Sequence, residues 1–372
     1  MAESIKITCP CLFGLESVLA FEAKRMGAND VTAADGRITF SGGLDTAARA
    51  NLRLRTAERV QILLGSFVAK TFEELFQGVL ALPLEDFIGK SDAFPVKGYS
   101  LNSALHSVPD CQSIVKKAAV KRLEKVYHQA WFEETGPVHQ LQFSILKDSV
   151  LVMLDTSGAG LHKRGYRREA TEAPIKETLA AGIIDFARVR NDSVVYDPFC
   201  GSGTFLIEAA MRAMNIAPGL SRSFACEKWG VFSSGVFKTE RESALSEMNR
   251  DVGFEGYGFD IDPEAVRLSA ENARKAGVAD KLVFEQAPIK DFRPSTQRGI
   301  VLCNPPYGER LLEVKQSEEI YRQMGAAFPK REGFGYYVIS SHEEFERFFG
   351  RPANRRRKLY NGMIKCQLYM YF

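Results

Sequence analysis

Residues 5–9 are a short β-like run, and 14–27 carries apolar residues at helical spacing until Gly27 stops it. Segment 30–42 reads as strand, turn and strand about Asp35-Gly36. A helical stretch over 44–60 completes a small mixed α/β unit at about 1–65. A second unit extends to about 165. It holds amphipathic helices at 72–82 and 111–132, with a strand and polar loop between them at 94–109. A hairpin over 139–157 follows, turning at Lys147-Asp148-Ser149. Residues 158–174, with glycines and clustered charge, read as an inter-domain linker.

From about 174 the pattern changes. Strands at 193–199, 256–262, 281–286 and 299–306 alternate with helices at 203–214 and 263–277. A further strand at 333–340 and a hairpin over 359–372, turning at Asn361-Gly362, close the chain. Such alternation predicts an α/β domain with an open, mostly parallel sheet and helices on both faces. Roughly 215–255 interrupts it as an insertion, which a lid, an RNA-facing surface or peripheral helices would each explain.

The strand at 194–197 ends in Asp197-Pro198-Phe199-Cys200-Gly201-Ser202-Gly203-Thr204. A glycine-rich turn at the carboxyl end of a first strand is where such sheets bind ligands. Gly201 and Gly203 permit close backbone approach, and the next helix offers free N–H groups. Asp197 would repel a pyrophosphate but attract a cationic amino group and a sulfonium. That favours S-adenosylmethionine over a dinucleotide. Asp260, closing the second strand before Ile261, suits the ribose hydroxyls. Asp262-Pro263 reads as the cap of the next helix. Gln286 or Ala287 is placed to edge an adenine, and Asp291 either reaches its amino group or is an ordinary surface acid.

Asn304-Pro305-Pro306-Tyr307 follows the apolar strand Gly-Ile-Val-Leu-Cys. An exocyclic base amine is a poor nucleophile because its lone pair is delocalised, so it must be held toward the methyl group. The Asn304 carbonyl and the backbone carbonyl of Pro305 can accept its two N–H bonds. Two prolines stiffen the loop, and Tyr307 supplies a flat face for the base.

Composition adds limits. The 372 residues carry 49 Lys+Arg against 46 Asp+Glu, a formal charge of only +3, so a nucleic-acid surface must come from local clusters. Candidates are Lys116, Lys117, Lys121, Arg122 and Lys125; His162, Lys163, Arg164, Arg167 and Arg168; and Arg355, Arg356, Arg357 and Lys358. Ser103, His106 and Ser107 sit in a polar loop, as RNA contacts or as turn-stabilising residues. The seven cysteines lack metal spacing, so no metal is expected. No apolar run of eighteen residues and no export-type N-terminus appear, which predicts a cytoplasmic protein without a membrane partner.

Longer strings at 93–118, 160–183, 215–220, 304–311 and 356–366 resemble the bacterial THUMP-domain RNA methyltransferases. Among them, the chain is similar to the N-terminal methyltransferase half of the large-subunit ribosomal RNA guanine-N2 enzyme. The resemblance covers essentially the whole chain. It implies a ferredoxin-like unit (1–65), a THUMP unit (66–165) and a Rossmann-like class I methyltransferase domain (166–372). It also implies S-adenosyl-L-methionine as cofactor and N2-methylguanosine in 23S ribosomal RNA, or in a large-subunit assembly intermediate, as product. Glu177 and Thr178 match the segment that packs beside the cofactor, and the helix bearing Lys116 and Lys117 becomes an RNA candidate. The larger two-enzyme fusions continue into a second methyltransferase domain, whose activity is not expected here. Rival readings are a transfer-RNA guanine-N2 enzyme, an N6-adenine enzyme on nucleic acid, a protein-glutamine enzyme and a non-catalytic RNA-binding assembly factor.

Overall fold

The computed structural model describes residues 4–34, 36–167, 174–232, 235–307 and 311–372, of 311–314 the backbone only. Asp35 and Arg168 lie outside the described residues. The first half contains β1 (Ile5–Pro10), α1 (Glu16–Arg25), β2 (Asn29–Ala34), β3 (Arg37–Gly42), α2 (Leu44–Arg53) and β4 (Gln61–Val68). It continues with α3 (Phe72–Leu80), β5 (Val96–Leu101), α4 (Val108–Tyr127), β6 (Leu141–Leu146) and β7 (Ser149–Asp155). These strands form one sheet in the order β2-β3-β1-β4-β7-β6-β5, antiparallel except for β5 with β6.

β4 was not expected, and it is the seam. It pairs with β1 on one side and β7 on the other, so the first two units share a sheet and the expected boundary at 65 falls inside a strand. Its register shifts between Leu63 and Gly65, which breaks the alternation that would have revealed it. Leu82 fills the space over Gly65, where a Cβ would lie 2.5 Å from Leu82 Cδ2. α4 begins at Val108 and ends when His128 turns left-handed at φ 55°, earlier than the expected 132.

The second half contains α5 (Glu177–Phe186), β8 (Val194–Asp197), α6 (Thr204–Ala213), α7 (Val236–Ser246), β9 (Glu255–Asp260) and α8 (Pro263–Ala276). It ends with β10 (Leu282–Gln286), β11 (Gly299–Cys303), α9 (Leu311–Ala327), β12 (Phe334–Ser340), α10 (Phe345–Phe349), β13 (Arg355–Asn361) and β14 (Ile364–Tyr371). The sheet order is β10-β9-β8-β11-β12-β14-β13. The first five strands are parallel neighbours, and the hairpin β13–β14 adds two antiparallel strands at the edge. The chain order reverses at β8, so a crevice opens beside its carboxyl end.

The insertion at 215–255 braces the two halves. α7 packs on α2, where Arg49 pairs with Glu240 at 2.7 Å and Arg53 with Glu247 at 2.6 Å. Trp229 stacks on His139 at 4.2 Å and donates its indole N–H to the Val138 carbonyl at 2.9 Å.

The stretch expected to be an inter-domain linker is also a seam in its described part. Arg164 is 3 % exposed, donates to the Leu161 carbonyl at 2.8 Å and to the Arg55 carbonyl, and pairs with buried Glu208 at 3.3 Å. Tyr166 donates to the same carboxylate at 3.2 Å. The guanidinium is spent inside the protein, so Arg164 does not contact RNA as expected. Arg164→Ala would strand the Glu208 charge. The expected loss is about 3–5 kcal/mol of stability, read by chemical denaturation, whereas RNA affinity of the folded fraction stays unchanged.

Candidate active site

Four strand ends meet at one edge of the second sheet. β10 and β9 end in register, Gln286 opposite Asp260. Asp197 of β8 lies opposite Gly258, two residues before Asp260. Val301 of β11 pairs with Tyr196, which sets Asn304 just past the level of Asp197 on the neighbouring strand. Adjacent strands lie about 4.8 Å apart. The acid–glycine loop and the Asn-Pro-Pro-Tyr loop are thus side by side although 100 residues separate them.

The glycine loop is tightly specified. Gly201 has φ 52° and Gly203 φ 79°, left-handed values that favour glycine. A Cβ on Gly203 would meet Ser269 Cβ at 3.2 Å. Two residues that sequence reasoning missed hold this loop from α8. Ser269 Oγ donates to the Gly201 carbonyl at 2.8 Å, and Asn272 Nδ2 to the Ser202 carbonyl at 3.0 Å. Both are fully buried. The available signal was a pair of polar residues three apart on the apolar face of an amphipathic helix.

Asp260 links the loop to the second strand. Its Oδ2 accepts from the Gly201 amide at 2.9 Å and its Oδ1 from the Asp262 amide at 3.1 Å. A carboxylate has further lone pairs, so both oxygens can still accept from a diol. Asp262 caps α8 by accepting from the Glu264 amide at 2.9 Å, with Pro263 in the first turn. Ile261 beside them is 70 % exposed, an apolar surface next to Asp260. Gln286 donates its side-chain amide to the Ile261 carbonyl at 3.0 Å, and the Ala287 amide donates to the Asp260 carbonyl at 3.0 Å. Asp291 lies in a short 3-10 turn over Ile289–Asp291.

Asp197 is buried and accepts from the Phe199 amide at 3.1 Å. Burial first, and the Asp260 charge second, push its carboxyl well above the usual carboxylate range. A cationic ligand group at this edge would relieve both effects, whereas an anionic one would add to them. Glycine loop, diol acceptor and unrelieved acid fit S-adenosylmethionine.

α5 lies beside this loop. Arg167 pairs with Glu177 at 2.8 Å and donates to Thr204 Oγ1 at 3.0 Å and to the Ile175 carbonyl at 3.1 Å. These contacts occupy Arg167, which corrects its expected role on RNA. It ties α5 to the start of α6. Thr178 donates its hydroxyl to Glu58, from the loop before β4. Burial pushes Glu177 up to about 7 despite Arg167. The unfolded chain loses this proton near 4.5, while the folded chain keeps it to about 7. Stability from this residue is therefore present below 4.5 and lost as pH rises to 7. Glu177→Gln should flatten the fall in stability between pH 5 and pH 7, measured by denaturant titration at each pH.

The Asn-Pro-Pro-Tyr loop leaves β11 with Asn304 half-buried and Pro305 buried. Tyr321 of α9 donates to the Pro306 carbonyl at 2.9 Å. Tyr307 is half-buried against the hairpin β13–β14, among Asn361 and Cys366. Its hydroxyl donates to Asn304 Oδ1. Ring and amide are thus fixed relative to each other, and one lone pair of the Asn304 carbonyl remains for a substrate N–H.

On α4, Lys116 donates to Glu134 and to the Phe94 carbonyl at 3.1 Å and lies 3.5 Å over the Phe94 ring, and Arg122 is held by Glu85. These two cations are committed to the protein, contrary to expectation. Lys121 is exposed and pairs with Glu124 at 2.6 Å in the next turn, a contact that solvent and phosphate readily replace. Lys117 Nζ lies 5.9 Å over the Phe76 ring. Lys163 is exposed. Ser103 accepts from the Asp148 amide of the β6–β7 turn at 3.0 Å, and His106 Nδ1 lies 3.1 Å from the Ala104 carbonyl, a local contact. Ser107 precedes α4 without a side-chain cap.

Comparison with known proteins gives three family matches along the chain. Residues 164–370 match the RMKL-like methyltransferase domain, 6–61 the RlmL ferredoxin-like domain and 69–155 the THUMP domain. YpsC of Bacillus subtilis, named among the RNA methyltransferases, is 43 % identical over 96 % of this chain and 94 % of its own. Ribosomal RNA large subunit methyltransferase K/L of Cellvibrio japonicus is 33 % identical over 97 % of this chain but 50 % of its own, so the chain spans about half of that relative. The methyltransferase SMU.472, solved in complex with SAH, superposes with a TM-score of 0.93 at 40 % identity, covering 100 % of this chain and 99 % of that one. A Listeria monocytogenes structure named as an N6-adenine-specific DNA methylase superposes at 0.94 and 42 % identity, covering 100 % and 96 %.

Proposed function

The chain belongs to the RMKL-like methyltransferase family, its methyltransferase domain preceded by ferredoxin-like and THUMP domains, and we propose that it methylates the exocyclic N2 amine of a guanine in 23S ribosomal RNA. The observation that carries the reading is the juxtaposition of the Asn304 carbonyl with the acid–glycine loop at one sheet edge. The cofactor is S-adenosylmethionine, which when bound supplies an electrophilic methyl group on a sulfonium.

The protein's own part is positional. Asp197 and Asp260 attract and orient a cationic, diol-bearing ligand, while Gly201 and Gly203 let it approach the backbone. Asn304 accepts one N–H of the target amine, and the rigid Pro305-Pro306 turn holds a backbone carbonyl for the other. Fixing both protons points the nitrogen lone pair at the methyl group, an orientational and electrostatic gain. No side chain need take a proton before transfer, because the product ammonium is acidic enough to lose it to water.

The THUMP domain favours RNA over DNA, and the K/L relatives favour large-subunit ribosomal RNA. The name of the Listeria relative supports a second reading, in which the same Asn304 acceptor holds an adenine N6 amine. Incubating the protein with labelled S-adenosylmethionine and unmodified 23S RNA, transfer RNA or DNA separates the substrates. Label on 23S RNA is expected. Label confined to transfer RNA or DNA would overturn the assignment.

A further inference from the structure

We propose that Phe13 and Tyr360 form a stacking platform for unpaired bases flanking the target nucleotide, so that the N-terminal domain itself touches the substrate beside the catalytic loop. The inference rests on the reading that the substrate is RNA.

The loop between β1 and α1 sits directly on the C-terminal hairpin. Gly14 adopts φ 93°, and a Cβ there would lie 2.8 Å from the Lys358 carbonyl oxygen. Arg357 fastens the contact by donating to the Gly14 carbonyl at 3.1 Å while lying 4.3 Å over the Phe186 ring of α5. Phe13 is thereby delivered to Tyr360, ring centroids 6.2 Å apart at 62°. Gly36 supports it from the other side, where a Cβ would stand 3.3 Å from the Phe13 ring. A ring this well fixed is nonetheless 59 % exposed.

Its place in the fold supplies the function. β13 is antiparallel to β14, and β14 to β12, so β13 ends at the same sheet edge as the parallel strands. Tyr360 and Asn361 thus lie at the rim that carries Asn304. Side chains alternate across the hairpin. Leu359 and Cys366, paired in register, face inward and are buried, and Tyr307 packs on that side. Tyr360 and Lys365, the next pair, face outward. One hairpin therefore clamps Tyr307 on its inner face and carries the half-buried Tyr360 on its outer face.

The chemistry of the patch favours nucleic acid. Lys358 Nζ lies 5.4 Å over the Tyr360 ring, and Lys358 and Lys365 are exposed on the same hairpin. Exposed aromatics interleaved with cations bind bases by their faces and phosphates by charge. A single exposed apolar residue is ordinary. Two aromatics from different domains, fixed edge to face at the rim of a base-modifying site, are a composed surface.

The test is steady-state methylation of an RNA whose modified position has been mapped. Phe13→Ala should raise KM for RNA about tenfold, as loss of one base stack does, with kcat, cofactor affinity and melting temperature near wild type. Phe13→Trp should restore KM. RNA with abasic sites flanking the target should raise the wild-type KM similarly and add nothing further in Phe13→Ala. An unchanged KM in Phe13→Ala, with the wild type active on RNA, would overturn the platform alone. Loss of self-association in Phe13→Ala would reassign the patch to a second copy of the chain. A wild type inactive on every RNA would overturn the substrate reading and the platform together.

Discussion

Asn304→Ala is expected to lower kcat for methyl transfer roughly 1,000-fold while changing cofactor affinity less than about threefold. The side chain stands past the end of β11, beside the glycine loop rather than within it, and the described contacts of its carbonyl come from Tyr307 alone among protein groups. Truncation therefore removes the proposed acceptor for the target amine and leaves Asp197, Gly201, Gly203 and Asp260 in place. The magnitude follows from what a single preorganised hydrogen-bonding group contributes at a reacting centre. Single-turnover kinetics with saturating cofactor, alongside calorimetry of cofactor binding, measure the two effects separately. A matched loss in both would mean that Asn304 supports the cofactor site and does not orient the substrate.

Asp260→Ala should do the reverse, weakening cofactor binding by about 3 kcal/mol, roughly a hundredfold. Two causes add. The ribose hydroxyls lose their proposed charged acceptor, and the Gly201 amide loses the partner it holds at 2.9 Å. Asp260→Asn separates them, since one oxygen still accepts while the charge is gone. Its loss should be smaller than that of alanine. Once cofactor is saturating, kcat should return to within a few-fold of wild type. A kcat that stays depressed at saturation would show that Asp260 shapes the reacting geometry too.

The strand ends at Asp197, Asp260, Gln286 and Asn304 could be read from sequence because each combines a β-branched or apolar run with an abrupt polar or glycine-rich stop. The cap at Asp262-Pro263 was legible for the same local reason. What could not be read depended on partners distant in the chain. Arg164 and Glu208 are 44 residues apart, and Arg122 reaches back to Glu85, so these two of the clustered cations that suggested phosphate contacts are held in ion pairs within the protein. β4 was hidden by its bulge at Gly65 and by its role as a seam between two units that sequence reasoning kept apart. Ser269 and Asn272 are polar residues facing a polar loop, a pattern that looks like imperfection in an amphipathic helix until the loop is seen. Phe13 is informative only because Gly14 lies against a hairpin more than 340 residues later.

The most direct test of the central claim is mass spectrometry of nucleosides released from 23S RNA after incubation with the protein and S-adenosylmethionine. N2-methylguanosine, absent when Asn304→Ala replaces the wild type, is the predicted product. N6-methyladenosine in its place would keep the fold and the cofactor site but contradict the assignment of the guanine amine to the Asn304 carbonyl.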